Sequence, residues 1–342
     1  MADRIKVVFF QRKPFPIHKS VEFIFADVRN RMPLSVQCFT KVFRFYSKGV
    51  LQRLGIIWEA YRNQRDVNHI TGDIHFSAIL LAREKTMLTV LDCRMLSDSH
   101  GIKHKLFKYF WFTLPLKKCA LVTVISEATK LELVKFTNYP EQQIRVIPVA
   151  ISPEFKYSFK AFNAKRPVIL QVGTMPHKNL ERLIKALNGI SCQLNVIGSL
   201  SEPIKELMLA NNISYHNESG ITQERLLEFY LSCDMISFVS TYEGFGMPIV
   251  EANAIGRPVI TSKILSMPEV AADSACLVNP FDVEDIRAGI QKIIHDEAYR
   301  DELVSNGLEN CKRFDPDKIA GCYLECYKKL SGKFVKTKEV VA

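Results

Sequence analysis

The sequence predicts an α/β protein built from two Rossmann-like domains. Three observations carry the expectation. The chain has 342 residues, more than one ordinary core accommodates. Short β-rich apolar runs alternate with amphipathic stretches along almost all of it. The alternation comes in two series, separated by a stretch with no period. Buried strands alternating with helices build parallel sheets covered on both faces, and two series build two such sheets.

The first series runs "RIKVVFF", "TMLTVLD", "CALVTVIS", "IRVIPVAI". The second runs "PVILQVG", "QLNVIG", "NISYH", "DMISFVS", "RPVITS", "ACLVNP". Amphipathic stretches at Glu127–Phe136, Asn179–Leu187, Gln223–Leu231 and Val283–Ile294 supply helices. Between Ile151 and Pro167, "SPEFKYSFKAFNAKRP" is rich in turn formers and charge, so domains are expected at 1–160 and 161–315. Asp315-Pro316 is a helix start signal. It opens a predicted helix from Pro316 to Leu330, with Ile319, Tyr323 and Tyr327 on one stripe. Residues 316–342 are expected as a helix and tail packing toward the first domain.

Composition excludes several classes. The chain is 47% hydrophobic and 24% charged, as folded soluble proteins are. No apolar run reaches the roughly 20 residues of a membrane span, and nothing resembles a secretory signal. Nine scattered cysteines without CxxC pairs fit reduced thiols and a cytoplasmic setting. Cys322 and Cys326, four apart, read as small buried residues rather than metal ligands. No repeat, zinc-finger or helix-turn-helix spacing is present, and no nucleic-acid partner is expected. Charge divides unevenly. Residues 1–160 carry 26 Lys+Arg against 13 Asp+Glu; residues 161–342 carry 20 against 23. The basic half points to an anionic partner or simply to a basic surface.

The densest chemical signal is "TYEGFGMPIVE", Thr241 to Glu251. It follows an apolar strand. Gly244, Phe245 and Gly246 make a tight loop, and Pro248 suits the first helical turn. Strand, glycine loop and helix N-terminus together favour a bound anion, most often phosphate. Glu243 sits on the loop, and Glu251 about one turn inside the helix, where a carboxylate can accept from two neighbouring hydroxyls. A second such unit stands upstream in "PVILQVGTMPHKNLERLIKAL": strand, Gly173, loop, helix. Lys178 at that helix start can neutralise a diphosphate.

Glu243 to Glu251 resembles the E-x7-E signature of retaining glycosyltransferases of the GT-B fold, the large family four. "VGTMPHKNLERLIKAL", "VTVISEATKLELVKF" and "RPVITSKILSMPEVAADSACLVNPFDVEDI" are similar to further segments of that family, in the same order. The resemblance covers most of Val168–Ile294 and, more loosely, Met87–Ile151. It implies two Rossmann-like domains facing a cleft, with a C-terminal helix crossing back. It implies a nucleoside-diphosphate sugar donor bound by the second domain, without metal or cofactor. Lys178 would meet the diphosphate; Gly173, Thr174 and His177 would form the phosphate-side loop. Gly244, Phe245, Gly246 and Met247 would line the donor, Glu243 would hold the donor sugar and Glu251 the ribose. Gly198 and the stretch from Glu218 through Gly220 to Ile221 would border the base. The implied chemistry is same-face transfer to a glycan or lipid-linked glycan of a surface polysaccharide such as lipopolysaccharide, O-antigen or capsule.

The first domain departs from the family pattern. Its first loop, "FFQRKPFPIHKSVEFIF", lacks glycine; Arg12 and Lys13 make it basic, and Ser20 and Glu22 start a helix. The usual histidine is absent at Leu91-Asp92-Cys93, leaving Asp92 as a catalytic candidate with Glu243 and Lys178. The family's arginine near the diphosphate is also absent, which rests phosphate neutralisation more on Lys178. His69, Asp73 and His75 are candidates for the acceptor side, against packed or capping roles for the histidines. Lys103–Lys118 interleaves six basic residues with five aromatics. It reads either as a helix lying on an anionic membrane surface, which would make the protein peripheral to the inner face, or as a core-facing helix. The alternatives to transfer are a sugar-nucleotide epimerase or a basic membrane- or polyanion-binding module. A dehydrogenase lacks its G-x-G-x-x-G.

Overall fold

The computed structural model describes residues 4–14, 20–97 and 101–332, with the backbone alone at 20, 21, 97 and 102–104. The side chains of Ser20, Lys103 and His104, and the lysine-dotted tail from 333, lie outside the described residues. The chain forms two units, Met1–Ala150 with Pro316–Ala342, and Ile151–Asp315.

The first unit is a six-stranded parallel sheet. Its strands are β1 (Ile5–Gln11), β2 (Val36–Val42), β3 (Val67–Thr71), β4 (Thr86–Val90), β5 (Leu121–Val124) and β6 (Ile144–Val146), in the order β2-β1-β3-β4-β5-β6. Side chains of a strand alternate between faces, and β1 uses both. Ile5, Val7 and Phe9 pack under the helices Ser20–Asn30 and Pro316–Ser331, against Phe25, Tyr323 and Tyr327. Val8 and Phe10 enter the core on the other face with Phe43, Ile56 and Trp111. The C-terminal helix therefore completes this unit's core, through the stripe its sequence displays.

The second unit is also parallel throughout. Its strands are β7 (Val168–Val172), β8 (Gln193–Ile197), β9 (Tyr215–Glu218), β10 (Met235–Phe238), β11 (Val259–Ser262) and β12 (Ala275–Val278), in the order β12-β11-β10-β7-β8-β9. Strand order reverses between β7 and β10 here, and between β1 and β3 in the first unit. Doubly wound sheets bind ligands beyond the carboxyl ends of the strands at such reversals.

The division falls at Ala150, ten residues before the expected 160. Residues 151–160 are held by the second unit although they have no period. Arg257 Nη1 donates to Ser158 O at 2.7 Å. Lys160 pairs with buried Asp234, which also accepts from the Asn163 and Val168 amides. The sequence reading also missed β2 and the helix Gly49–Arg62. β2 is an edge strand with three polar residues among its seven, and the helix carries apolar residues outward as well as inward.

Candidate functional site

The chemistry-bearing residues of the second unit collect at the carboxyl edge of its sheet. After β7 the chain turns at Gly173, runs through a short 3-10 turn, Pro176–Lys178, and enters the helix Leu180–Leu187. Gly173 has φ +93°, and a Cβ there would lie 3.0 Å from Lys178 Cε. Glycine thus lets the lysine side chain fold back over the strand end. After β10 comes the Glu243–Gly246 loop and then the helix Met247–Ile255, with Gly246 at φ +116° before it. Thr241 N donates to His177 O at 2.8 Å, which ties the two loops together across the β7/β10 reversal.

The tie brings three charged groups into one place. Lys178 Nζ lies 2.7 Å from Glu243 Oε1, and 4.9 Å above the Phe238 ring. Glu251 is buried on the Met247–Ile255 helix, where its Oε2 accepts from Tyr230 Oη at 2.5 Å. Burial raises the Glu251 carboxyl to about 7, against the opposing pulls of the Tyr230 hydrogen bond and the Lys178 charge. Buried Ser266 Oγ donates to Glu243 O at 3.0 Å and Phe245 O at 2.8 Å, fixing the loop from below. Buried Asn179 donates to Val239 O and Pro280 O, anchoring the Lys178 turn. The neighbouring strands continue the edge. Gly198, after β8, donates to Glu218 O at 2.8 Å, and Thr174 packs beneath Gly198. Gly220 and Ile221 follow β9 in the loop to the helix Gln223–Ser232. Arg225 and then His216 hold the Glu218 carboxyl down to about 2.

Residues 154–310 match the family described as "Glycosyl transferases group 1". That match spans nearly all of the second unit. Among relatives, the chain is 26% identical over 240 residues to the O-antigen chain mannosyltransferase B of Escherichia coli. The match covers 63% of this chain and 62% of that relative, so the chain spans about three fifths of its length. Among solved structures it is similar to sucrose-phosphate synthase from Thermosynechococcus elongatus. That match has TM-score 0.80 and 17% identity over 96% of this chain and all of the other. It is similar too to Anabaena HepE solved with UDP-glucose, at TM-score 0.76 and 16% identity over 94% and 99%. These likenesses give the fold, GT-B, across both units.

The first unit's candidates are placed by themselves. Arg12 follows β1 and Asp73 follows β3, so both stand at that sheet's own reversal. Arg12 Nη1 is 3.4 Å from Asp73 Oδ2, and its Nε is 3.3 Å from Glu22 Oε1. Lys13 lies 4.6 Å over the Tyr46 ring. Asp92, exposed after β4, accepts from the Arg94 amide at the start of a short helix.

Both histidines contradict the acceptor-side expectation. His69 is fully buried beneath the C-terminal helix, with Nδ1 2.9 Å from Tyr327 Oη and Nε2 2.7 Å from Thr89 Oγ1. Burial, and then the Arg29 charge, lower it to about 3. Side chains of β3 alternate, and His69 falls on the face that the C-terminal helix closes. His75 is buried against Phe112 and donates to Trp111 O; burial lowers it to about 4. Neither is available to a ligand.

The Lys103–Lys118 segment is also not one amphipathic helix. Its α-helix ends at Lys108, a π-helical turn spans Tyr109–Thr113, and a short helix, Leu114–Lys117, follows. The wider turn shifts the phase of the pattern. Trp111 and Phe112 point into the core, while Phe110 is turned outward, so the aromatics do not share one face.

Sequence reasoning missed Tyr230, Asn179 and Ser266. Each is a common residue whose value comes from a distant partner; Tyr230 and Glu251 are 21 residues apart. The one readable signal was a polar atom on an otherwise apolar helix face.

Proposed function

We propose that the protein is a retaining glycosyltransferase. It moves a hexose from a nucleoside-diphosphate sugar to a glycan or lipid-linked glycan in O-antigen or related surface-polysaccharide assembly. The observation that carries this reading is the Lys178–Glu243 pair beside buried Glu251 at the β7/β10 reversal. The relative's O-antigen mannosyltransferase name supports the acceptor class and a hexose donor.

In this reading Lys178 and the amides opening the Met247–Ile255 helix hold the diphosphate. Glu243 accepts from hydroxyls of the transferred sugar. Glu251 takes the ribose with the oxygen that Tyr230 does not occupy. Gly173, Thr174, His177, Gly244, Phe245 and Met247 shape the phosphate side, and Gly198, Gly220 and Ile221 border the base. The bond from the anomeric carbon to the diphosphate oxygen breaks, and a bond to the acceptor oxygen forms on the same face. The acceptor's proton passes to the departing phosphate oxygen. Lys178 stabilises the charge that builds there. Glu243 is read as a ligand of the donor sugar rather than as a nucleophile. The acceptor is assigned to the first unit's reversal, at Arg12, Lys13 and Asp73, with Asp92 beside the next strand. No metal or cofactor enters the proposed step. Nine free cysteines fit a cytoplasmic setting. Among the described residues, no helix is long and apolar enough to cross a membrane.

The test is incubation with UDP-glucose and GDP-mannose, with and without a lipid-linked glycan, following nucleoside diphosphate and sugar by mass spectrometry and NMR. Acceptor-dependent release with retained anomeric configuration is expected. An isomerised sugar nucleotide formed without acceptor would make the protein an epimerase, and an inverted product would remove the same-face mechanism.

A further inference from the structure

The helix Gly49–Arg62 carries more apolar surface than the core uses. Ile56, Ile57 and Ala60 are buried. Yet Val50 is 70% exposed, Leu51 83%, Leu54 55%, Trp58 54% and Tyr61 47%. At about 100° per residue these five fall within a roughly 100° arc beside the buried one. Trp58 and Tyr61 stack on each other at 5.5 Å, each with about half its surface open. Scattered exposed apolar residues are ordinary, whereas a contiguous face of five marks a docking surface.

The surrounding charge says what docks there. From Lys41 to Arg65 the chain has six basic residues and one acid, Glu59, which pairs with Lys41 and Arg44. Lys48 caps the helix start with no acid in the first turn, opposite to what the helix dipole favours. The positive charge is therefore not there to stabilise the helix. A second copy of the chain would bring two such basic rims together, which like charge opposes. An anionic lipid surface attracts the rim, and its interface accepts Trp and Tyr with their polar edges in the headgroups. The Lys103–Lys118 segment adjoins: Arg53 lies 4.6 Å over the Trp111 ring, and Leu106, Tyr109 and Phe110 are about half exposed.

We propose that the outward face of the Gly49–Arg62 helix docks the protein on an anionic membrane surface, with Val50, Leu51, Leu54, Trp58 and Tyr61 entering the headgroup layer. The docking stands independently of the donor reading, which is tested on water-soluble nucleotides.

The experiment is co-sedimentation of the full chain with vesicles of phosphatidylglycerol and phosphatidylcholine, compared with phosphatidylcholine alone. Wild type is expected to sediment with the anionic vesicles only, and to be released by high salt. The variant Leu51→Ser with Leu54→Ser is expected to bind about tenfold more weakly or worse. Its unfolding midpoint should stay within about 2 °C of wild type, because both side chains are exposed. The pair Leu106→Ser with Phe110→Ser is expected to retain most binding. No sedimentation of wild type, undiminished binding by the first variant, or loss confined to the second would overturn the proposal. So would a dimer, seen by light scattering, that the first variant abolishes, since the face would then join two copies.

Discussion

At Lys178 the side chain answers to two carboxylates, Glu243 by direct contact and Glu251 through charge. Lys178→Ala removes a charge-assisted contact to the proposed diphosphate, a kind worth roughly 1.5–3 kcal/mol. Nucleoside-diphosphate affinity should fall about ten- to a hundredfold by calorimetry, with the circular dichroism spectrum unchanged. Glu251 makes binding depend on pH. Its folded pKa of about 7 lies above the usual carboxylate value, so in the free protein its contribution to stability is present at low pH and lost as pH rises through 7. Once ionised, the carboxylate can accept from Tyr230 with one oxygen and from the ribose with the other, so donor affinity should rise with pH through the same window. Tyr230→Phe removes a hydrogen bond that favours the charged form, so the midpoint should move upward. Glu251→Gln should flatten the profile. A midpoint unmoved in Tyr230→Phe would show that this hydroxyl does not position Glu251.

At the scale of elements, the strand–turn–helix units hold the site by backbone geometry. Gly173→Ala would force a Cβ-bearing residue to φ +93° and press it against the Lys178 stem. The strain is about 1–2 kcal/mol, and the lysine would be displaced as well. Donor affinity should drop more than thermal stability does; equal losses would mean the turn serves the fold alone. These elements were legible in the sequence because their signals are local. Apolar strand runs, Gly173, the Gly244–Gly246 loop and Pro248 each announce themselves within a few residues. β2 was not legible, since an edge strand with Gln37, Thr40 and Lys41 lacks an apolar run. The Lys103–Lys118 segment failed for a different reason. A π turn changes the period inside the segment, and a helical wheel assumes one period throughout.

At the scale of the molecule, what the sequence hid was tertiary. His69 and His75 looked like cleft residues because histidines near a glycine and a strand end often are. Their fate was set by contacts far along the chain, 258 residues away in the case of Tyr327. The burial has a consequence. Both histidines titrate below their unfolded value of about 6.5, so the unfolded chain takes up protons that the folded chain refuses. The histidines' contribution to stability should therefore be full above pH 6.5 and fall as pH drops toward 4, by at most about 1.4 kcal/mol per pH unit for each, while the Glu251 contribution runs the opposite way, so the slope is read against Glu251→Gln. Urea unfolding from pH 7 to 5 checks this, and His69→Gln should shallow the slope. An unchanged slope would mean His69 is not the proton sink. The central claim is the donor site, and isothermal titration of UDP and of GDP into wild type, Lys178→Ala and Glu251→Ala tests it most directly. One nucleotide should bind wild type, and both variants should lose at least about tenfold in affinity for it. Wild-type affinity in both variants, or no binding of either nucleotide to wild type, would contradict the assignment of the β7/β10 edge as the donor site.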